Sequence, residues 1–326
     1  MFIFSVLLAF SCNIQEESAM FLQNAIPISG KTIEMNCFIG KPHEVVCVDS
    51  FLLFSDYYEN KALTAYNLRN DQFSGRFLSL GRGPGEVIAP INLFVTSEKK
   101  MSVHQYQTGD MFFYNFPEMK MQHKIHFDNK TRSIKKTQNY FIGCGVYDGG
   151  RFSIYDNSGN LLRYMGEYPF RGNYMDAIER FIIYQGYICT CPTRDFFVTC
   201  GAYCDNLEFY EIKNNLGILL KKYESYDSNA QFIDQQLYRN EHTRYAYQWA
   251  YGTEKYCYLL YVGKSNVETK KKKIRHKYII VFDWCGNHIK TYQIDVGMRS
   301  FCVDESDETL YGIVLKDEYE IMSFDL

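Results

Sequence analysis

Short apolar runs, broken by polar or glycine-containing turns, follow one another along almost the whole chain. Residues 45–48, 51–54, 63–68 and 73–80 form a first set, and residues 93–96, 101–105, 111–116 and 121–127 a second. Runs of this length, rich in Val, Ile, Phe and Tyr, predict strands. A third set, residues 139–143, 145–147, 151–155 and 161–165, carries the clearest turns. Asp148-Gly149-Gly150 and Ser158-Gly159-Asn160 each lie between apolar runs, the chemistry of a hairpin. Residues 181–184, 187–191, 196–200 and 207–212 predict a fourth group, and 245–251, 256–262, 277–283 and 288–294 a fifth. Residues 301–304, 309–314 and 320–325 end the series. No long amphipathic helix is expected before about residue 230; residues 228–242 are polar and read as a short helix or an excursion.

A repeat emerges from these sets. An aromatic residue ends a strand and a polar turn follows in Ala65-Tyr66-Asn67, Phe113-Tyr114-Asn115, Ile154-Tyr155-Asp156, Phe209-Tyr210-Glu211, Val281-Phe282-Asp283 and Ser323-Phe324-Asp325. The anchors are 48, 41, 55, 72 and 42 residues apart. A period of about 40 to 50 residues with four strands per unit predicts propeller blades, and the longer gaps read as insertions at Asn214-Asn215 onward and at residues 225–244. Six units give an all-β, six-bladed propeller. Residues 321–326 complete a blade begun by residues 26–38, closing the ring and protecting its edges.

Composition agrees: aromatic residues reach 17%, with 28 Tyr and 25 Phe, and these favour pleated sheet. The net charge of −3 gives no reason to expect a nucleic-acid partner. The start of the chain reads as an export signal. Residues 2–10 are apolar but too short to span a bilayer, and Ala9-Phe10-Ser11-Cys12 resembles a bacterial lipoprotein cleavage site. No Lys or Arg precedes the apolar run, a departure from the usual signal. The expected organisation is a signal peptide over 1–11, a polar tether over 12–24 beginning with lipid on Cys12, and one propeller domain over 25–326. The expected location is the cell envelope, as an outer-membrane lipoprotein held by its lipid and otherwise monomeric.

The most unusual stretch is Gly81-Arg82-Gly83-Pro84-Gly85-Glu86. Its glycines and proline make a tight loop, not a helix or central strand. Its free N–H groups and Arg82 suit an anion nest; a structural connection between two sheets, with Glu86 accepting backbone hydrogen bonds, is the other reading. A phosphate loop is excluded, since no Lys-Ser or Lys-Thr follows the last glycine.

Together with this stretch, Tyr155-Asp156-Asn157-Ser158-Gly159-Asn160 with Gly166-Glu167-Tyr168-Pro169 carries a resemblance, as do residues 281–287, 292–295 and 310–313. The sequence resembles the TolB-like six-bladed propeller lipoproteins of Bacteroidetes over essentially its whole length. That resemblance implies an exported, membrane-anchored propeller and implies no particular activity.

Candidate chemistry is sparse. Cys189, Cys191, Cys200 and Cys204 are the best metal-like group, but their spacing is not that of a zinc ribbon, and buried free thiols or a disulfide explain them as well. The histidines, His43, His104, His123, His126, His242, His276 and His288, form no paired ligand motif. Residues 270–277 are strongly basic and read as a solvated hairpin tip. Tyr245, Tyr247, Trp249 and Tyr251 alternate, so they are expected on one face of a strand, as core packing or as a platform for a sugar or peptide. The leading expectation is a noncatalytic binding or scaffolding protein that meets an envelope protein, peptide or glycan, with no catalytic residues, metal or cofactor. The competing class is a metal-assisted propeller enzyme of lactonase or lyase type, with its site at the central channel.

Overall fold

The computed structural model describes residues 17–326 except 97–99, 129 and 273–276. Six antiparallel four-stranded units follow each other around a central axis. Blade 1 is Pro42–Val48, Phe51–Tyr58, Lys61–Asn67 and Gln72–Ser79, paired in that order. The inner strands of blades 2 to 6 are Asn92–Val95, Thr131–Lys136, Gly186–Thr190, Arg244–Gly252 and Met298–Val303.

The continuous apolar runs follow from this arrangement. A blade is covered on both faces by its neighbours, so both alternating sets of side chains are buried. On the inner strand of blade 1, Val46 and Val48 join the core shared with blade 2, whereas Val45 and Cys47 join the core shared with blade 6. Each of the six junctions between neighbouring blades carries its own apolar cluster. The repeat anchors Tyr66, Tyr114, Tyr155, Tyr210, Phe282 and Phe324 all fall on the third strand of their blades, each 5% exposed or less. The turns after two of them are copies. Asp156 accepts hydrogen bonds from the N–H groups of Ser158 and Asn160 and from Asn160 Nδ2; Asp283 does the same with Cys285, Asn287 and Asn287 Nδ2. Gly159 and Gly286 supply the left-handed residue each turn needs, at φ 85° and 82°.

The ring closes as expected. Lys31–Thr32 pairs antiparallel with Tyr319–Asp325 as the outer strand of blade 6, and Ile26–Ile28 adds a parallel fifth strand against His288–Ile294 of blade 5. Between blades 3 and 4 the junction also holds an ion pair, Arg151 Nη1 to Glu208 Oε2 at 3.0 Å, both side chains under 5% exposed. Asn206 Oδ1 and the Tyr210 hydroxyl complete its hydrogen bonding.

Several expectations are corrected. Residues 181–184 are not a strand: they are the last turn and cap of the helix Ala177–Ile183, whose start is fixed by Asp176 accepting from the N–H groups of Ile178 and Glu179. Leu216–Tyr226, read as insertion, is the outer strand of blade 4, and Asn214-Asn215 is its hairpin turn, both residues at positive φ. Thr131–Lys136 is an inner strand that its polar composition concealed. Residues 228–242 contain a small hairpin, Gln231–Ile233 with Gln236–Tyr238. The basic run begins inside the helix Asn266–Lys272, and residues 273–276 lie outside the described residues. Cys12 and the export signal also lie outside them. Phe21, within the expected 12–24 stretch, is buried edge-on against Tyr223 and Phe282. No helix among the described residues is long and apolar enough to cross a membrane.

Candidate functional site

The six inner strands run side by side along the axis, so one end of the channel collects their C-termini and the turns that follow. A cavity of about 290 Å3 opens there, with residues from every blade in its wall. Val45, Leu93, Ile188, Trp249, Tyr251 and Val303 make the wall apolar. Its charges are divided. Lys135 and Lys136 stand on blade 3; Glu254, Asp304 and Glu305 stand on blades 5 and 6. Lys135 Nζ donates to Leu93 O at 3.3 Å, and Lys136 Nζ donates to Thr137 O, Gln138 O and Asn157 Oδ1.

The rim of this mouth is tied from blade to blade. Asp195 of blade 4 accepts from Thr137 Oγ1, Asn139 N and Asn139 Nδ2 of blade 3, at 2.7–2.8 Å. Arg194 donates to Glu254 O of blade 5 at 2.8 Å. Thr253 Oγ1 and the Tyr258 hydroxyl then donate to Asp307 of blade 6, at 2.6 and 2.9 Å. Charge-assisted bonds of this kind hold the loops in one arrangement before any ligand arrives. Behind Lys135 lies His104, fully buried with no partner for either ring nitrogen. Burial, and secondarily the Lys135 charge, push its pKa down to about 4, so it is a neutral core residue at pH 7.

The aromatic residues do not share one face. The register of strand Arg244–Gly252 slips between Tyr245 and Tyr247 and again between Tyr247 and Trp249. Each bulge re-aims the side chains beyond it. Tyr247 is buried in the core shared by blades 4 and 5, whereas Trp249 and Tyr251 pack towards blade 6. Trp249 Nε1 donates to Phe301 O at 2.8 Å, which fixes its ring beside the mouth. Tyr245 and Tyr247 line a different cavity, at the opposite end of the channel.

The loop Gly81–Glu86 lies away from both cavities, between the outer strand of blade 1 and the inner strand of blade 2. It is folded around its own carboxylate: Gly83 N donates to Glu86 Oε2 at 2.7 Å, and a Cβ on Gly81 would lie 1.9 Å from the same oxygen. Gly81 N donates to Val87 O, and Gly85 takes φ 77°. Arg82 and Pro84 are exposed in this turn. The Glu86 carboxylate thus takes up the Gly83 N–H.

The ten described cysteines are free thiols. Cys189, Cys191 and Cys200 belong to the core between blades 4 and 5, while Cys204 lies in a separate cluster with Tyr168 and Tyr184. Burial pushes Cys189, Cys200 and Cys204 well away from thiolate formation. Among the described residues no three His, Cys, Asp or Glu side chains gather in a way that would hold a metal ion. The rim residues Asp195, Arg194 and Asp307 are invisible to sequence reading, because their partners are 49 or more residues away.

Solved structures share this architecture. A Bacteroides fragilis protein described as exported matches with a TM-score of 0.58 and 14% identity, over 91% of this chain and 94% of that one. The propeller domain of Cps50 (Swd1) from Myceliophthora thermophila matches with a TM-score of 0.51 and 9% identity, over 91% and 99% of the two chains. U3-55K matches with a TM-score of 0.54 and 6% identity, over 91% of this chain and 98% of that one. At such identities the likeness is one of fold. No curated protein matches the chain. The model of the TolB-like 6-blade propeller-like family matches residues 24–306, and the chain belongs to that family.

Proposed function

We propose that this protein is an exported binding module of the cell envelope, held by lipid on Cys12, that takes a short peptide segment into the channel mouth without transforming it. The observation that carries this reading is the mouth itself: an apolar wall contributed by blades 1, 2, 4, 5 and 6, with cations on blade 3 and carboxylates on blades 5 and 6. An extended peptide end offers an apolar body with both signs of charge, and a tied rim lowers the ordering cost of receiving it. The Bacteroides fragilis likeness supports an exported propeller, and the lipobox-like start supports the anchor.

Trp249 provides the test, since the chain has 2 Trp and the other, Trp284, is buried in the core. Tri-alanine with free ends should shift Trp249 emission, and its N-acetylated, amidated form should not. Equal responses, or none, would count against the reading. Elemental analysis of chelator-free protein addresses the alternative: stoichiometric calcium or zinc would favour a lactonase- or lyase-type enzyme at the same mouth.

A further inference from the structure

The opposite end of the channel has a different chemistry. There the inner strands of blades 4, 5 and 6 begin, and a cavity of about 570 Å3 opens between them. Tyr187, Tyr203, Tyr245, Tyr247 and Tyr319 supply its rings. Tyr203 and Tyr245 meet edge to face with centroids 5.6 Å apart, and Arg239 donates to the Tyr203 hydroxyl at 2.8 Å.

Two cations line the same cavity, Lys277 and Arg299. Lys277 Nζ donates to Gln248 Oε1 and to Met298 O, the carbonyl of the residue before Arg299. That bond places both cations on one wall. Arg299 donates to the Tyr319 hydroxyl at 3.1 Å and to the ring of His43. Burial and the Arg299 charge push His43 down to about 4, so it meets Arg299 as a neutral acceptor. Among the described residues neither cation has a carboxylate within ion-pair distance. Glu44, on the inner strand of blade 1, directs its two oxygens to Asn92 Nδ2 and Leu93 N instead. Lys277 is partly buried with no carboxylate within ion-pair distance, and that burial pushes its pKa down to about 8.

A cation taken out of water without an anion destabilises the fold, and most proteins neutralise such a group. Two of them on one wall of an open cavity leave the anion to be supplied from outside. The surrounding tyrosines present ring faces for an apolar ring surface and hydroxyls for a polar rim. We propose that this cavity is a binding site for an acidic sugar, whose carboxylate bridges Lys277 and Arg299 while its ring lies against Tyr203 and Tyr245. The site is separate from the peptide mouth and does not depend on that reading.

Calorimetry on the purified protein tests it with glucuronate, glucose and glucose 6-phosphate, each at about 10 mM, a range suited to single-sugar affinities. Glucuronate should bind at least about tenfold more tightly than glucose, the value of one charge-assisted hydrogen bond pair. Equal binding of the two, or no glucuronate binding, would overturn the proposal. Tighter binding of glucose 6-phosphate than of glucuronate would overturn the carboxylate assignment. Lys277→Gln and Arg299→Gln should each weaken glucuronate by about tenfold or more while leaving glucose unchanged. Tyr245→Ala, at a half-exposed position, should weaken both sugars, and sugar binding unaltered by Tyr245→Ala would also overturn the placement.

Discussion

The two ends of the channel are made by the same six strands, yet they differ in how charge is handled. At the mouth where the inner strands end, both signs of charge are present and the loops are tied blade to blade through Asp195, Arg194 and Asp307. At the end where they begin, Lys277 and Arg299 stand among tyrosines with neutral partners. The strand Arg244–Gly252 serves both: Tyr245 and Tyr247 line one cavity, Trp249 and Tyr251 the other. The division follows from position along the strand, while the register shifts around Tyr247 set which neighbouring blade each ring packs against. A propeller strand is therefore one element with two addresses, one at each end of the channel.

The comparison breaks most severely at Tyr247. It is 1% exposed and packs with Tyr261 at a centroid distance of 5.0 Å. Tyr247→Ala should cost about 3–5 kcal/mol in denaturant unfolding and disturb both ends together. A loss below about 1 kcal/mol would mean that the ends are built independently.

Two pH responses of the same sign, in separate pH windows, sharpen the contrast. His104, behind the mouth, has its pKa lowered from 6.5 to about 4. The unfolded chain therefore binds the extra proton first, so stability is complete above pH 6.5 and falls as pH drops towards 4, by up to roughly 3 kcal/mol. His104→Leu should flatten that decline. Lys277, at the other end, is lowered from 10.5 to about 8. Here too the unfolded chain holds the proton more tightly, so stability rises between pH 8 and 10.5. The rise should be absent in Lys277→Met; an identical alkaline slope in the variant would refute the assignment.

A smaller effect is expected from the rim. Asp195→Ala removes three hydrogen bonds to residues 137–139 and should cost about 2 kcal/mol. Faster amide exchange should be confined to that loop and its neighbours at the mouth, with the tyrosine end unchanged. Smallest of all, Tyr245→Ala should change stability by less than about 1 kcal/mol, since the ring is half-exposed.

Much of the fold was legible because the propeller writes its middle strands twice over. Phe51–Tyr58 and Tyr256–Ser265 are buried on both faces, and their apolar runs cannot be mistaken for turns. The aromatic anchors gave the blade number, since each occupies the same third strand. Strands at the ring's inside and outside were harder. Thr131–Lys136 needs few apolar residues because one edge faces the channel, and Leu216–Tyr226 carries a mixed pattern because its outer side meets solvent. The helix Ala177–Ile183 was hidden by apolar residues that suit either period, and its capping Asp176 was the overlooked signal. The Gly-Pro-Gly-Glu stretch is legible as a tight loop from its glycines and proline, and Gly83 N donating to Glu86 fits that composition. The candidate sites were least legible. Lys277 and Arg299 are 22 residues apart in sequence and meet through the Met298 carbonyl, a relation that no spacing rule encodes.

The closure near the N-terminus has a mechanical consequence. Lys31–Thr32 completes the last blade, Ile26–Ile28 runs along blade 5, and Phe21 is wedged between Tyr223 and Phe282. A pull on the residues ahead of Glu17 meets these attachments in series. The wedged ring takes the load first, the three-residue ladder next, and the strand that seals the ring last. Tension arriving from that direction is spent on two outlying fastenings before it reaches the circle of blades, so the channel keeps its shape under a strain that has already loosened its leash.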